Sequence, residues 1–426
     1  MVNNGQNKIE EFDFKPSIHK SMRVFTYEKN RRARDILSLG YGIFELEKIL
    51  KEKRVEQIYI YRFLDKYNEQ LRAIFNELIS FILLEDIDIQ FTPSKYSLNH
   101  TLYNNLQKLK AIVLFSGGID SYSGIFWAKE KFNDIQGIFC AHTDQAWSIH
   151  IVNKITDTIL KPYDISINKV YVPRITKTGY SQLRGFLYIL AAGAYSDITN
   201  ANSLVISECG PTMYQPKFGL YDSITRTTHP VVVELAFRVL CILFERNIKF
   251  YLPFEDMTKA EVIALSNYPK FFSETHSCVS QRFGKHDGTC YGCIVRRLGA
   301  IVAGINDVEY IRDPLTDPKA NTDNLLSLLM FSRDFLLDYE RMPFYQIENI
   351  ESYTKKDLFK RFALDNYAAI HILKKRKVKL TEEVETLYKN VSSKIGQEIL
   401  EKRIEKVRSR KFKIKNKPIY SLEKTA

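Results

Sequence analysis

The sequence is poor in cysteine and has no long apolar segment. Only six of its 426 residues are cysteines, too few for the disulfide framework typical of secreted proteins. No apolar run approaches the roughly 18 residues that are needed to cross a bilayer. The first 15 residues are polar and lack the basic-then-apolar order of a secretory signal. We therefore expect a cytoplasmic protein with no membrane contact, in which Cys140, Cys209 and Cys241 are reduced core residues.

Positive charge is concentrated towards the C-terminal end. The chain has 62 basic and 50 acidic residues, and residues 351–426 alone contain 21 basic and 10 acidic ones. This distribution excludes a protein that is basic throughout, such as a histone-like DNA coat, and predicts a neutral globular body with a cationic appendage. Residues 408–417 are basic at nearly every second position. They are either a solvated tail or a contact for nucleic acid or an acidic protein, and we favour a protein partner.

From residue 111 onward, short β-branched or aromatic runs alternate with helical stretches, which is typical of a parallel sheet covered by helices. The predicted strands are 111–115, 135–141, 169–172, 203–207 and 248–252, and the predicted helices are 122–131, 145–160, 182–199 and 231–246. Each connection is long enough for a right-handed crossover helix, so we predict an α/β fold with a doubly wound parallel sheet. Functional residues are then expected just after the strands, beyond their carboxyl ends.

These patterns divide the chain into three regions. Residues 1–105 are predicted to form an N-terminal α/β extension with strands at 57–61 and 86–91 and a helix at 68–84. Residues 106–305 form the predicted catalytic domain, with a cysteine cluster at 278–293. Residues 306–426 form a basic, helical C-terminal region with helices at 321–340, 355–374 and 381–410, the last of them capped by Thr381.

The hexapeptide Ser-Gly-Gly-Ile-Asp-Ser, residues 116–121, follows the first strand of the central domain and opens a helix. Two consecutive glycines let the backbone approach an anion and adopt positive φ, and the helix start supplies N–H groups and partial positive charge. Asp120 is a candidate ligand for a magnesium ion that bridges phosphate oxygens. The simpler alternative is a Gly-Gly turn with a helix-capping residue, but the complete hexamer in this context favours nucleotide binding. The candidate ATP-binding residues in this loop are Ser116, Gly117, Gly118, Ile119, Asp120 and Ser121.

The remaining cysteines form a cluster that consists of Cys278, Cys290 and Cys293. A C-x2-C pair with a more distant third cysteine matches structural zinc, because tetrahedral Zn²⁺ prefers thiolates and a two-residue gap lets one turn supply a pair. Asp287 is the candidate fourth ligand, since C-x8-D-x2-C-x2-C becomes a regular four-cysteine pattern if Asp287 replaces a cysteine. His286 and His276 compete for the same position. The alternative to zinc is a reduced, metal-free cluster.

These motifs together resemble those of a known family. Residues 116–121 are not the phosphate-binding loop of ordinary ATPases, because that loop has a lysine after its glycines and this one does not. The hexapeptide instead resembles the pyrophosphate-binding PP-loop of N-type ATP pyrophosphatases. With the cysteine spacing, the chain resembles QueC, the 7-cyano-7-deazaguanine synthase, whose signature combines S-G-G-x-D-S with T-W-S-C and C-x8-C-x2-C-x2-C. Here the second block reads Thr-His-Ser-Cys at 275–278, and the last pair leads into Arg296, Arg297 and Ala300. The resemblance covers about residues 110–302.

Two further blocks agree with this family, at 183–186 followed by alanines at 191 and 192, and at 253–262. They contain Arg184, a candidate for pairing with phosphate or carboxylate, whose simpler interpretation is a surface arginine. They also contain Lys259, which opens a helix where a cation is unfavourable unless an anion is near. We therefore expect Lys259 to contact pyrophosphate or a carboxylate. Gln145, after the second strand, is a candidate for contacting adenine, or else an ordinary residue at a helix start.

The segment after the fourth strand departs from the family. QueC has D-Y-S-G-Y-P-D-C-R-P there, whereas residues 207–216 read S-E-C-G-P-T-M-Y-Q-P. Glu208 can still accept hydrogen bonds from the N1–H and amine edge of a guanine-like base. The missing cysteine and the long flanking regions indicate a QueC paralogue, similar in layout to the QueC-like proteins of bacterial anti-phage systems such as QatC of the Qat system.

The resemblance implies a carbon–nitrogen ligase that uses ATP, Mg²⁺ and Zn²⁺ and adenylates the carboxylate of a 7-deazaguanine, with Asp120, Arg184 and Lys259 as catalytic residues. In QueC the acceptor is ammonia and the product is a nitrile for queuosine biosynthesis. In a defence paralogue the resemblance allows the amine of a partner protein encoded nearby. Two alternatives are a PP-loop enzyme that modifies tRNA held by the basic tail, and a non-catalytic nucleotide-binding scaffold subunit of a defence complex.

Overall fold

A computed structural model describes residues 9–12, 20–50, 55–83, 87–99, 108–142, 146–172, 182–214, 228–244, 246–266, 269–278 and 285–421. Within these residues the strands form two sheets. The smaller sheet consists of three parallel strands in sequence order, β1 (Ile9–Phe12), β2 (Gln57–Arg62) and β3 (Asp88–Pro93). Its connections include the helices α1 (Arg31–Leu50) and α2 (Asn68–Leu83). The sequence predicted β2, α2 and β3 to within two residues, but it predicted neither β1 nor α1.

The larger sheet has the strand order β6-β5-β4-β7-β8-β9. Its strands are β4 (Ala111–Leu114), β5 (Ile135–His142), β6 (Ile167–Val172), β7 (Ser203–Val205), β8 (Lys249–Tyr251) and β9 (Tyr420–Ser421). Its helices are α3 (Ile119–Phe132), α4 (Ala146–Ile155), α5 (Arg184–Thr199), α6 (Gly210–Tyr214), α7 (Pro230–Phe244) and α8 (Lys259–Leu265). The first five strands are parallel and β9 is antiparallel to β8. The predicted α/β class is therefore confirmed, and the architecture is compatible with a PP-loop fold.

Side chains of the larger sheet enter two apolar cores. In β4, Ile112 belongs to one core, whereas Ala111 and Val113 belong to the other. Successive side chains of a strand point to opposite faces, so both faces of this sheet need cover. Helix α5 contacts β4, β5 and β7 and belongs to the first core, whereas α3 contacts β4 and β5 and belongs mainly to the second. Helices α1 and α2 pack on α5 and α7, and this contact extends the first core to the smaller sheet.

From residue 291 onward, most of the residues that the structure describes lie in six helices. They are α9 (Tyr291–Ala303), α10 (Asp323–Leu337), α11 (Phe344–Ser352), α12 (Lys356–Lys375), α13 (Glu382–Ile395) and α14 (Gln397–Arg408). The predicted single helix at 381–410 is wrong, because Gly396 has a φ of 84° and separates α13 from α14. Thr381 is at the N-cap position of α13 as predicted, but its side chain makes no capping hydrogen bond to the helix. Within the described ranges, no helix combines the length and the apolar character needed to cross a membrane.

The basic segment after α14 lies along the edge of the larger sheet. Ile419 N donates to Phe250 O at 2.9 Å and Lys415 N donates to Pro253 O at 3.3 Å. The ammonium group of Lys415 also forms ion pairs with the carboxylates of residues 255 and 256. Residues 415–421 are therefore an ordered part of the sheet edge and not a solvated tail.

Candidate active site and metal centre

Three loops meet at the carboxyl-terminal edge of the larger sheet. They follow β4, β7 and β8, which are neighbours in the sheet, so parallel pairing brings their ends together. The loops contribute residues 116–121, 207–209 and 253–259. The loops after β5 and β6, at 143–145 and 173–181, lie outside the described residues, and so does the predicted adenine contact Gln145.

The glycine loop after β4 leaves the start of α3 open. Gly117 has a φ of 81°, a conformation that glycine adopts without strain. Gly118 is the N-cap residue of α3, and because it has no side chain it makes no capping hydrogen bond to the first amides of the helix. Ser121 Oγ lies 3.2 Å from Ser116 Oγ and donates to Gly118 O at 3.0 Å. The two serines thus brace the turn, and the uncapped helix start suits an anion.

A buried ion pair joins α3 to α8. Lys259 Nζ lies 2.5 Å from Asp120 Oδ2, and their side chains are 15% and 7% exposed. Cys209 N donates to the same oxygen at 3.2 Å. Burial alone would lower the pKa of Lys259, but Asp120, Cys209 and Glu208 together raise it. Lys259 is therefore charged, and the anion that its position at a helix start requires is supplied by Asp120 of the protein itself.

Asp120 keeps one oxygen for another partner. Its Oδ1 is buried and has no hydrogen-bond partner among the residues that the structure describes. A buried carboxylate oxygen without a donor is costly unless it binds a cation or a proton. This oxygen therefore fits the role of a magnesium ligand at the phosphate-binding loop.

Glu208 belongs to the same cluster, just after β7. Burial raises the pKa of Glu208 to about 7, the Asp120 carboxylate adds to the rise, and the charges of Lys259 and Arg184 oppose it. The two carboxylates compete for these cations, so Glu208 holds its proton up to near-neutral pH. Burial also raises the pKa of the neighbouring Cys209 thiol, to about 12, which keeps it neutral.

Arg184 is the first residue of α5, and its charge acts on Glu208. Its guanidinium carbon lies 5.9 Å from the ring centroid of Tyr188, and its Nε has no hydrogen-bond partner among the described residues. The amides just before the helix are already occupied, because Glu47 of α1 accepts hydrogen bonds from residues 182 and 183 at 2.8 Å each. At this helix start, the side chain of Arg184 is the group that can pair with a phosphate or a carboxylate.

Four potential metal ligands converge beside the glycine loop, and they are Cys278, Asp287, Cys290 and Cys293. One ligand atom from each lies within 4.8 Å of all the others. Asp287 Oδ1 accepts hydrogen bonds from the amides of residues 289 and 290 at 2.9 and 3.1 Å, which orients the carboxylate. A Cβ at Gly292 would lie 2.3 Å from Ser277 O, so the C-x2-C turn requires glycine there. This Cys3Asp donor set could bind zinc.

The two histidines that compete with Asp287 are not members of this cluster. His286 Nε2 accepts a hydrogen bond from Ser277 N at 3.2 Å, and its ring centroid lies 4.6 Å from that of His276. Burial, with a smaller effect of nearby positive charge, lowers the pKa of His286 to about 4. His276 N donates to Gly117 O at 2.9 Å. This segment therefore connects the cysteine cluster directly to the glycine loop.

The basic residue after the C-x2-C pair has a structural role. Arg296 is fully buried and donates to Asp307 Oδ1 at 2.8 Å, Thr275 O at 2.7 Å and Phe272 O at 3.0 Å. It ties α9 to the segment that carries Cys278. The sequence did not predict this role of Arg296. It also did not predict that Glu47 binds the amides before α5, or that Arg403 of α14 binds Glu261 of α8.

Comparison with known proteins supports a QueC-like character for about half of the chain. The chain is 25% identical over 225 residues to the 7-cyano-7-deazaguanine synthase of Staphylococcus saprophyticus, which covers 47% of this chain and 93% of the relative. It is 22% identical over 222 residues to the Leptospira interrogans protein of that name, with 46% and 89% covered. It is 24% identical over 220 residues to the Staphylococcus aureus one, with 46% and 93% covered. A scan against models of protein families found no match.

Proposed function

We propose that the protein is an ATP-dependent enzyme of the QueC type, which activates the carboxylate of a 7-deazaguanine and transfers it to an amine. The observation that carries the proposal is the cluster of Asp120, Lys259, Arg184 and Glu208 beside an uncapped glycine loop. The similarity to 7-cyano-7-deazaguanine synthases supports ATP-dependent, deazaguanine synthase-like activity. In this proposal the five parallel strands of the larger sheet form the doubly wound sheet of a PP-loop domain at 106–305, flanked by an N-terminal α/β extension and by a helical C-terminal region that adds β9 to the sheet edge.

The glycine loop and the two cations serve the phosphate end of ATP. The amides at the start of α3 donate to phosphate oxygens, and Arg184 and Lys259 offset the charge of the leaving pyrophosphate. Lys259 then exchanges part of its contact with Asp120 for the phosphate. Asp120 would hold Mg²⁺ through its unpartnered Oδ1, and the ion would supply positive charge at the phosphate end of ATP.

Glu208 serves the base end of the substrate. A guanine-type ring presents N1–H and an exocyclic amine on one edge, and an ionised carboxylate accepts both hydrogen bonds. Glu208 follows β7, the neighbour of the strand that carries the glycine loop. A base bound there points its 7-carboxylate towards the phosphate-binding side of the same sheet edge, where adenylation and displacement by an amine take place.

The amine acceptor distinguishes two forms of the proposed activity. Ammonia as acceptor gives an amide and, with a second ATP, the nitrile of queuosine biosynthesis. An amine of a partner protein gives a modified protein, the form we propose for an anti-phage paralogue of the QatC type. The altered segment after β7, and the fact that the relatives cover only about half of the chain, support the second form.

Formation of AMP tests the activity. Purified protein with ATP, Mg²⁺ and 7-carboxy-7-deazaguanine, supplied with ammonia or a co-purified partner, should release AMP and pyrophosphate in equal amounts. Asp120→Asn preserves the size of the side chain and removes its charge, so it should lower the rate by roughly 10²-fold or more. The matched control is Asp134→Asn, which alters a 42% exposed aspartate just beyond α3 and should leave the rate unchanged.

Four results would contradict this proposal in different ways. No AMP with any carboxylated deazaguanine would exclude the activity, and an unimpaired Asp120→Asn variant would exclude the role of Asp120. ATP binding without AMP under every acceptor condition would favour a scaffold subunit. Filter binding of tRNA that weakens steeply with salt and requires residues after 351 would favour a tRNA-modifying enzyme.

A further inference from the structure

A buried network of charged groups connects the C-terminal helices to the start of α8. Arg403 of α14 donates to Asp365 Oδ1 of α12 at 2.7 Å and to Glu261 Oε1 of α8 at 2.8 Å. Asp365 Oδ2 accepts the hydroxyl of Thr258 at 2.5 Å. Arg361 of α12 also binds the Glu261 carboxylate. Thr258 and Glu261 are inaccessible to solvent, and Asp365 and Arg403 are 3% and 6% exposed.

The network binds the two residues that form the N-terminal cap of α8, Thr258 and Glu261. Thr258 Oγ1 accepts from Glu261 N at 3.3 Å, and Thr258 N donates to Glu261 Oε2 at 3.0 Å, which is a complete capping box. The two hydrogen bonds of a capping box form between its own two residues and require no other side chain. Here both of its side chains are held by residues from α12 and α14, so the first turn of α8 is fixed in position as well as in conformation.

Lys259 lies between these two residues. It is the first residue of α8, and its ammonium group lies 2.5 Å from Asp120 at the glycine loop. The backbone on both sides of Lys259 is held by Arg403 and Asp365 through Thr258 and Glu261. The C-terminal helices therefore control where the ammonium group can lie, although they do not contact it.

The charges in the network favour one arrangement. The carboxylates of Asp365 and Glu261 raise the pKa of Arg403 against the effect of its burial, so this guanidinium stays charged. Its planar fork reaches both carboxylates at once, which the compact ammonium group of a lysine does less well. Loss of Arg403 would leave Asp365 without its cation, and the start of α8 would be free to shift.

We propose that Arg403 and Asp365 are positioning residues for Lys259, so that the C-terminal helices are part of the ATP-activating site. The expected effect on the rate of AMP formation rests on the proposed function. The positioning role explains why Arg403 and Asp365, which lie well after residues 110–302, pack against the Met-Thr-Lys-Ala-Glu-Val block at 257–262 that resembles the synthase family. It also gives the cationic C-terminal region a role other than recruitment of a partner.

The test compares Arg403→Met and Arg403→Lys with Lys402→Met, a matched control one residue earlier on α14 with a 70% exposed side chain. We expect kcat for AMP formation to fall by about 10- to 100-fold in Arg403→Met, with a smaller change in the KM of ATP, because a small misplacement of a catalytic group is costly. Arg403→Lys should recover part of the rate, and Lys402→Met should retain all of it. Folded Arg403→Met protein with the kinetics of the original chain would overturn the proposal.

A second measurement keeps the test independent of the proposed function. Hydrogen exchange read by mass spectrometry should speed up at residues 258–262 and 116–121 in Arg403→Met, also in protein that forms no AMP. If Arg403→Met does not fold, Asp365→Asn replaces it, since asparagine preserves the size of the side chain and an acceptor for Thr258. Exchange at both segments equal to that of the original chain would overturn the positioning role, whereas absence of AMP in the original chain would contradict only the proposed function.

Discussion

Glu208 links the proposed base recognition to pH. Its pKa of about 7 lies above that of an ordinary carboxyl group, so the proton that blocks its acceptor function leaves only near neutral pH. The groups that face it are Asp120, Lys259, Arg184 and the Cys209 thiol, and the raised pKa values of Lys259 and Cys209 keep both protonated throughout this range. We expect the affinity for 7-carboxy-7-deazaguanine to rise by about tenfold from pH 6 to pH 8, as measured by calorimetry.

The variant Glu208→Gln separates this effect from other titrations. Glutamine presents one acceptor and one donor at every pH, so the variant should bind weakly and show no rise in affinity with pH. The stability of the original chain should fall over the pH range in which its affinity rises, because the buried carboxylate of Glu208 is unfavourable once it is charged. The melting temperature of Glu208→Gln relative to the original chain should therefore rise steadily from pH 4 to pH 8, because the original chain loses stability from the ordinary pKa of 4.5 upward and through the raised value of about 7. An affinity that is independent of pH in the original chain would contradict the role of Glu208.

Asp287 is the residue on which zinc binding at the cysteine cluster should depend most directly. Its carboxylate completes the Cys3Asp set, and a thiolate at this position would give four sulfur ligands, which zinc binds more tightly than three. We expect about one zinc per chain by elemental analysis, loss of zinc in Asp287→Ala, and retention of zinc by Asp287→Cys at chelator concentrations that strip the original protein. Cys241→Ala, outside the cluster, is the control. Negligible zinc in protein purified without chelator would show that the cysteines form a metal-free cluster.

At the scale of elements, the start of α5 depends on a residue of the N-terminal region. The buried carboxylate of Glu47 accepts the amides of residues 182 and 183, next to Arg184. Glu47→Gln keeps the shape of the side chain but places an amide N–H₂ against one of these donors. We expect a loss of about 2 kcal/mol in the free energy of unfolding and a weaker ATP affinity, measured by urea denaturation and calorimetry. The control Glu77→Gln alters a 52% exposed glutamate paired with Arg238 and should change neither the stability nor the ATP affinity. Equal behaviour of the two variants would contradict this role for Glu47.

The sequence predicted the strands of the larger sheet and the helices between them because their patterns are local. Apolar runs of strand length, turn residues and amphipathic periods all occur within windows shorter than 20 residues. The break at Gly396 was missed because a single glycine in a helical pattern is compatible with a continuous helix. Strand β9 was missed because it has only two residues in a basic segment, and its pairing depends on β8, about 170 residues earlier.

For the site, the same distinction holds between local and distant signals. The glycine loop, Lys259 and the cysteine spacing are contiguous motifs, and the structure brings Asp120 to Lys259 and Asp287 to the three cysteines. The supporting contacts are not visible in this way. Glu47 lies 135 residues from the first amide it binds, and Arg403 lies 142 residues from Glu261. Residue types alone do not reveal such pairs, because buried carboxylates and arginines have no local pattern.

At the scale of the whole molecule, the charge surplus after residue 350 has two components. Some of the basic residues are used inside the fold, where their partners lie in the central part of the chain. These are Lys355, Arg361, Arg403, Arg408 and Lys415. Others, such as Lys411 and Lys413, are exposed on the segment between α14 and β9. The surplus therefore reflects both a structural attachment of the C-terminal region and a solvent-facing cationic surface suited to the acidic partner that we propose.

Truncation and charge reversal separate these two components. Removal of residues 411–426 eliminates β9, the Lys415 ion pairs and the hydrogen bond that Trp127 Nε1 donates to Asn416 Oδ1, so we expect a lower melting temperature and slower AMP formation. The double variant Lys411→Glu and Lys413→Glu keeps every one of these contacts and should change neither property, but it should weaken capture of an acidic partner, most strongly at low salt. A truncated chain as stable and active as the full one would contradict a structural role, because the edge of β8 would then need no covering strand. Equal partner binding by the double variant would place recognition elsewhere on the surface.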